Sequence, residues 1–211
     1  MKMWAIAALA LFGATVPAEA QVSGTIETKS YPKTQDGRRI GCSIEFRAAV
    51  QDFAYRNGAS VMVIGSVGFM NYPGKQAAVT LKVIIHDVSA DGQNIDLNTA
   101  APSSISLVGI HDDSNAGAQL SSSLGDSPGS RIAAYNIDGF LEVYERIVGR
   151  KELMLLFNRQ AGGIDVRVPI DLTVEDLDES GKPVRSNQTV VGFQDCSRKL
   201  LDDMEAANPA K

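Results

Sequence analysis

The sequence is short of the residues that most enzyme sites are built from. Its 211 residues hold two cysteines, two histidines and one tryptophan, and the tryptophan is Trp4. Two cysteines and two histidines this far apart give no zinc-ligand spacing. An excess of positive charge is also lacking. The chain carries 20 Lys and Arg against 25 Asp and Glu, a net charge of −5 from scattered residues with no basic patch. That balance argues against nucleic acid as a partner. Beyond the first residues, no apolar run approaches the roughly 20 residues of a membrane-spanning helix. Internal repeats and low-complexity tracts are missing, which excludes a solenoid.

What is present begins with a targeting segment. Lys2 supplies a positive start, Trp4 to Val16 is apolar but too short to span, and Ala18-Glu19-Ala20 is an A-x-A cleavage site. Residues 1–20 are therefore expected to be a cleaved signal peptide. Residues 21–211 are expected to be a single exported domain, periplasmic or secreted, with a sub-boundary near 112–130. No transmembrane segment remains after cleavage. In an oxidising compartment two cysteines pair, so Cys42 and Cys196 are expected to form a disulfide that closes a long loop.

The first half reads as strands. Val22, Gly24 and Ile26 alternate with polar residues up to Lys29, and Ser30 to Arg39 is rich in turn formers. Ile40, Cys42, Ile44, Phe46, Ala48 and Val50 recur at period two, which places Cys42 on a buried strand face. Asn57-Gly58 marks a turn. Ser60 to Met70, apolar on both faces, reads as a central strand. From Ala77 to Val88, Val79, Leu81, Val83 and Ile85 point inward, while Thr80, Lys82, Ile84 and His86 point the other way. The two strands should pair as a hairpin. Ala90 to Ser103 reads as a polar loop, Ser104 to Ile110 as a short strand, Asp112 to Ser130 as a long surface loop, and Arg131 to Asn136 as a further strand.

The period then changes. Phe140, Leu141, Val143, Tyr144, Ile147 and Val148 fall on one side of a helix capped by Asp138 and ended by Gly149. Glu142 and Arg146 stand opposite at i,i+4 spacing. Glu152 to Asn158 and Val166 to Val174 read as a hairpin, and Pro169 assigns its second strand to a sheet edge or a bulge. Glu175 to Arg185 reads as an acidic loop. A final helix begins near Ser186 or Asn187, with Val190, Phe193, Cys196, Leu200, Leu201 and Met204 along one stripe. The expected fold class is α+β: an antiparallel sheet or sandwich in the N-terminal half, then helix–hairpin–helix. In layout alone, a hairpin followed by a cysteine-bearing helix resembles small exported envelope proteins of proteobacteria.

Candidate chemistry is sparse. Gly125-Asp-Ser-Pro-Gly129 matches G-x-S-x-G, which would make Ser127 a nucleophile served by His86, or by His111 with Asp112. Against this, Pro128 has no N–H for an oxyanion hole, and no histidine follows Ser127. His86, His111 and Asp113 would be metal ligands if the fold brought them together. Asp91 to Asp96 is rich in oxygen ligands but lacks the glycine and glutamate positions of a calcium loop. Asn187-Gln-Thr189 is a glycosylation sequon in a eukaryotic source. The weight falls on a non-enzymatic, disulfide-stabilised binding or envelope-associated protein without a cofactor, whose partner is a protein or an envelope component. A serine hydrolase or a metal-binding protein are the alternatives.

Overall fold

The structure, a computed structural model, describes residues 24–71, 77–90, 95–111 and 119–207. The expected signal peptide, residues 1–20, and the calcium-like positions 91–94 lie outside them. The described chain is mostly antiparallel β-sheet with two α-helices. Strands β1 (Gly24–Gln35), β2 (Arg38–Asp52), β3 (Ala59–Met70) and β4 (Ala78–Ala90) follow one another as a meander. Then come β5 (Ile95–Ala100), β6 (Ser104–Val108), β7 (Gln119–Leu124) and β8 (Ser130–Tyr135). The large sheet runs β1-β2-β3-β4-β8-β7. β4 changes partners along its length: residues 79–84 pair with β8 and residues 85–90 with β5.

Three corrections to the sequence reading concern strands without hydrophobic alternation. Ser30 to Arg39 is mostly strand, turned at Asp36 (φ 50°) and Gly37 (φ 74°). Two successive positive φ values mark the tight hairpin turn that Asp-Gly favours. Residues 95–100, expected as loop, form β5. Residues 119–124, also expected as loop, form β7, whose six residues are all exposed. Backbone pairing to β8 holds β7 in place, so side-chain burial left no signal to read.

The C-terminal half is not helix–hairpin–helix. The first helix, α1 (Phe140–Glu145), is six residues long and continues as a wide π-turn over Arg146–Arg150. Its N-cap is Gly139 rather than Asp138, with no side-chain cap. The chain leaves through Lys151 at φ 54° rather than through Gly149. Arg146, at the junction of the two, is 2% exposed. There it donates to Gly109 O at 2.8 Å and to Glu152 Oε1 at 2.6 Å. β9 (Glu152–Asn158) and β10 (Val166–Asp171) then form the expected hairpin. It joins β6 in a second sheet, ordered β10-β9-β6, with Pro169 on an edge strand. The acidic loop is a second hairpin, β11 (Val174–Leu177) with β12 (Pro183–Arg185). α2 (Gln188–Ala207) ends the fold, and Ser186 Oγ accepts the N–H of Gln188 at 2.9 Å as its cap.

The core lies between the large sheet and a cover made of the small sheet and helices. Val61, Val63, Val79, Leu81, Val83 and Ile85 face Leu153, Leu155, Phe157, Val168 and Ile170 in one buried cluster. Each such side chain contributes about 1.5–3 kcal/mol on burial. Val190, Phe193, Cys196 and Leu200 bring α2 into the same cluster. Leu201, expected on this stripe, is 47% exposed. Cys42 and Cys196 are joined, Cα to Cα 5.8 Å, across 154 residues. Beside the bond, Thr189 Oγ1 donates to Thr28 O at 3.0 Å, and Thr28 Oγ1 donates to Val174 O at 2.8 Å.

Candidate functional site

One face of the large sheet is occupied by the core. The other face is organised by register. Because side chains alternate along a strand, the pairings align two rows across four or five strands. One row is Glu27, Arg47, Ile64, Ile84 and Ser130, and the next is Lys29, Glu45, Ser66, Lys82 and Ile132. The first four residues of each row line a concave cavity of about 270 Å³. Ile64 and Ile84 form its apolar floor, and Glu27, Lys29, Glu45, Arg47 and Lys82 bring both signs of charge to its walls. Glu27 and Arg47 pair at 3.3 Å while both stay substantially exposed. Glu45 accepts the hydroxyl of Tyr31. Burial first, and then the Glu45 carboxylate, push the Tyr31 phenol above its ordinary value. Lys33 Nζ lies 4.3 Å from the Tyr31 ring centre, a cation–π contact.

Ser127 stands at the rim of this face, in a turn. Ser130 N–H donates to Ser127 O at 3.0 Å, with Pro128 second and Gly129 third at φ 73°. This is the type II pattern that proline and glycine favour at those positions. The five residues of G-x-S-x-G therefore connect β7 to β8; no strand-to-helix elbow is formed. The Ser127 hydroxyl receives a hydrogen bond from Lys82 Nζ at 2.9 Å, and the same nitrogen reaches Asp126 Oδ1 at 2.5 Å. That hydrogen bond and the charge of Lys82 hold the Asp126 carboxyl below its ordinary value. The same lysine thus links the serine to the Asp126 carboxylate.

The chain matches no known protein family, no curated protein and no solved structure.

His86 is on the same face as Lys82, four residues along β4, a separation of about 13 Å at strand rise. Its Nδ1 is hydrogen-bonded to Thr99 Oγ1 at 2.7 Å. The Ser127 turn packs against that same threonine, since a Cβ on Gly129 would lie 2.1 Å from Thr99 Cγ2. Ser127 and His86 thus share a neighbour, but the serine hydroxyl is hydrogen-bonded to Lys82 and the imidazole to Thr99. His111 is exposed, after the end of β6. Asp112 and Asp113 lie outside the described residues. Among the described residues, no three His, Cys, Asp or Glu side chains are grouped to hold a metal.

A second polar assembly was not foreseen from the sequence. Arg159, following β9, donates through Nε to the fully buried Asp52 at 2.8 Å and through Nη2 to Asp87 at 2.6 Å. Arg56 pairs with Asp87 at 2.9 Å. Tyr55 donates its hydroxyl to Ile164 O at 2.6 Å. These contacts tie the end of the large sheet to the β9–β10 turn. No local spacing announces them, because the partners are separated by 31 to 109 residues. The concave rows were half legible: the outward set Thr80, Lys82, Ile84 and His86 follows from alternation, but aligning it with β1 and β2 needs the register.

Proposed function

We propose that the chain is an exported, disulfide-locked binding protein of a bacterial envelope, holding a segment of another exported protein on the outer face of its large sheet. The observation that carries this reading is the pair of cross-strand rows. Their apolar floor, Ile64 and Ile84, suits a short aliphatic or aromatic side chain. The surrounding walls offer Lys29, Arg47 and Lys82 to carboxylates, and Glu27 and Glu45 to ammonium or guanidinium groups. A surface of mixed sign with an apolar centre has the composition of a peptide-recognition site. The Cys42–Cys196 bond supports an oxidising destination, as does the segment ending in Ala18-Glu19-Ala20. Among the described residues no helix is long and apolar enough to cross a membrane.

The test is a comparative capture from an envelope fraction. Wild-type protein should retain a specific partner, and Ile64→Glu, with an unchanged melting temperature, should lose it. Equal retention by the two proteins, or no specific partner together with a measured turnover, would overturn the reading.

A further inference from the structure

The two edges of the large sheet are built differently. β1, at one edge, carries Pro32, packs against β11 and α2, and is tied there by Thr28. Proline and a covering element are two ways in which proteins block strand addition. β7, at the other edge, carries no proline and is covered by no described element, and its one irregularity is a bulge between Gln119 and Ser121. Gln119-Leu-Ser-Ser-Ser-Leu124 contains no charge and no proline, and all six residues are exposed. Leu120 is 57% exposed and Leu124 68%. A strand of this kind leaves a row of backbone donors and acceptors that a further strand satisfies best.

The sequence of β7 also indicates which strand. Leu120-Ser-Ser-Ser-Leu124 reads the same in both directions about Ser122. We propose that β7 pairs antiparallel with β7 of a second copy of this chain, across a two-fold axis at Ser122. In that register Ser121 meets the partner's Ser123, and Leu124 lies beside the partner's Leu120, the bulged residue at the start of the strand. A two-fold interface requires a patch complementary to itself, and a palindromic uncharged strand meets that requirement residue by residue. The two exposed leucines of each copy become cross-strand neighbours. The two large sheets join into one, and the concave rows of both copies remain open on its outer face.

Ser121 and Ser123 provide the test. Ser122 is left unchanged because its Oγ accepts from Arg131 Nη1 at 3.2 Å. In the dimer, Ser121→Lys with Ser123→Lys sets two pairs of lysines directly opposite one another, and like charges opposed across strands repel. Sedimentation of the disulfide-bonded chain over a concentration series should show a monomer–dimer equilibrium. The double lysine variant should raise the dimer Kd by about fivefold or more. The corresponding double glutamate variant should do the same, and an equimolar mixture of the two should recover dimer. Amide hydrogen exchange of the wild type is the second readout, with β7 protection rising with protein concentration. A wild type that stays monomeric with unprotected β7 amides would overturn the proposal. So would a dimer indifferent to the lysine pair, or variants that do not recover on mixing.

Discussion

Arg159 Nε lies 2.8 Å from Asp52 Oδ2, and the aspartate is fully buried. The pair joins the last residue of β2 to the segment after β9, so one contact fastens the two sheets at this end. Arg159→Leu strands a buried carboxylate, and removing one partner of such a pair costs about 3–5 kcal/mol. Asp52→Asn in the same chain should return part of that loss, because the Tyr55 N–H still finds an acceptor at Oδ1. Urea unfolding of the single and double variants measures both.

The Cys42–Cys196 bond closes a loop of 154 residues. On the chain-entropy account a loop of this size is stabilised by up to about 5 kcal/mol. Cys42→Ser or Cys196→Ser should lower the melting temperature strongly in oxidising buffer. Against fully reduced wild type the same variants should differ little. Equal losses under both conditions would mean that the sulfurs matter through packing alone.

Ser127 and Gly129 separate the turn from the nucleophile. Ser127→Ala should change stability by less than about 0.5 kcal/mol, and Ser127 should resist a fluorophosphonate probe. Gly129→Ala should cost at least about 1–2 kcal/mol, the penalty of a left-handed residue, with the clash against Thr99 added. Thermal melts and mass spectrometry of probe-treated protein decide. Labelling at Ser127 would revive the hydrolase reading.

Asp171 gives stability an acid dependence. Partial burial would raise its pKa, but hydrogen bonds from Thr173 and Arg185 outweigh this and hold it below the ordinary value. With a folded pKa below the unfolded value of about 3.9, the contribution is complete above that value. It is lost as pH falls through the folded pKa. Asp171→Asn should therefore lower the melting temperature near neutrality, and the difference from wild type should shrink below about pH 4. A constant difference across that range would assign the effect to geometry alone.

Processing is tested directly. N-terminal sequencing of the exported protein should begin at Gln21, and Ala20→Arg should leave the precursor uncleaved, because small residues flank such sites.

How much of this could be read from the residues follows from what alternation records. β2 and β4 bury one face, so Ile44 and Leu81 announce their strands at period two, while β3 is legible as an apolar run on both faces. Pro169 marks an edge because its missing N–H forbids an interior place. Cys42 and Cys196 are legible as a pair once the compartment is inferred. β5 and β7 bury little, so nothing in Asn98 or Ser122 distinguishes strand from loop. Arg146 lies inward, three residues after the buried Val143, because Gly109 O and Glu152 meet its guanidinium there, and no local pattern announces those partners. The concave rows depend on the bulge between Thr25 and Glu27, which sets the β1 residues opposite Arg47 and Glu45. One residue more or less would send Lys29 to the core face.

The Thr28–Thr189 contact and the Cys42–Cys196 bond also set an order of events. The last helix closes on the first strands across 161 and 154 residues. Contacts of such separation form late, since the loop must close before they are gained. A nascent chain therefore stays open until its final residues emerge. That delay would suit the export proposed above, in which a chain crosses a membrane unfolded and becomes rigid on the far side.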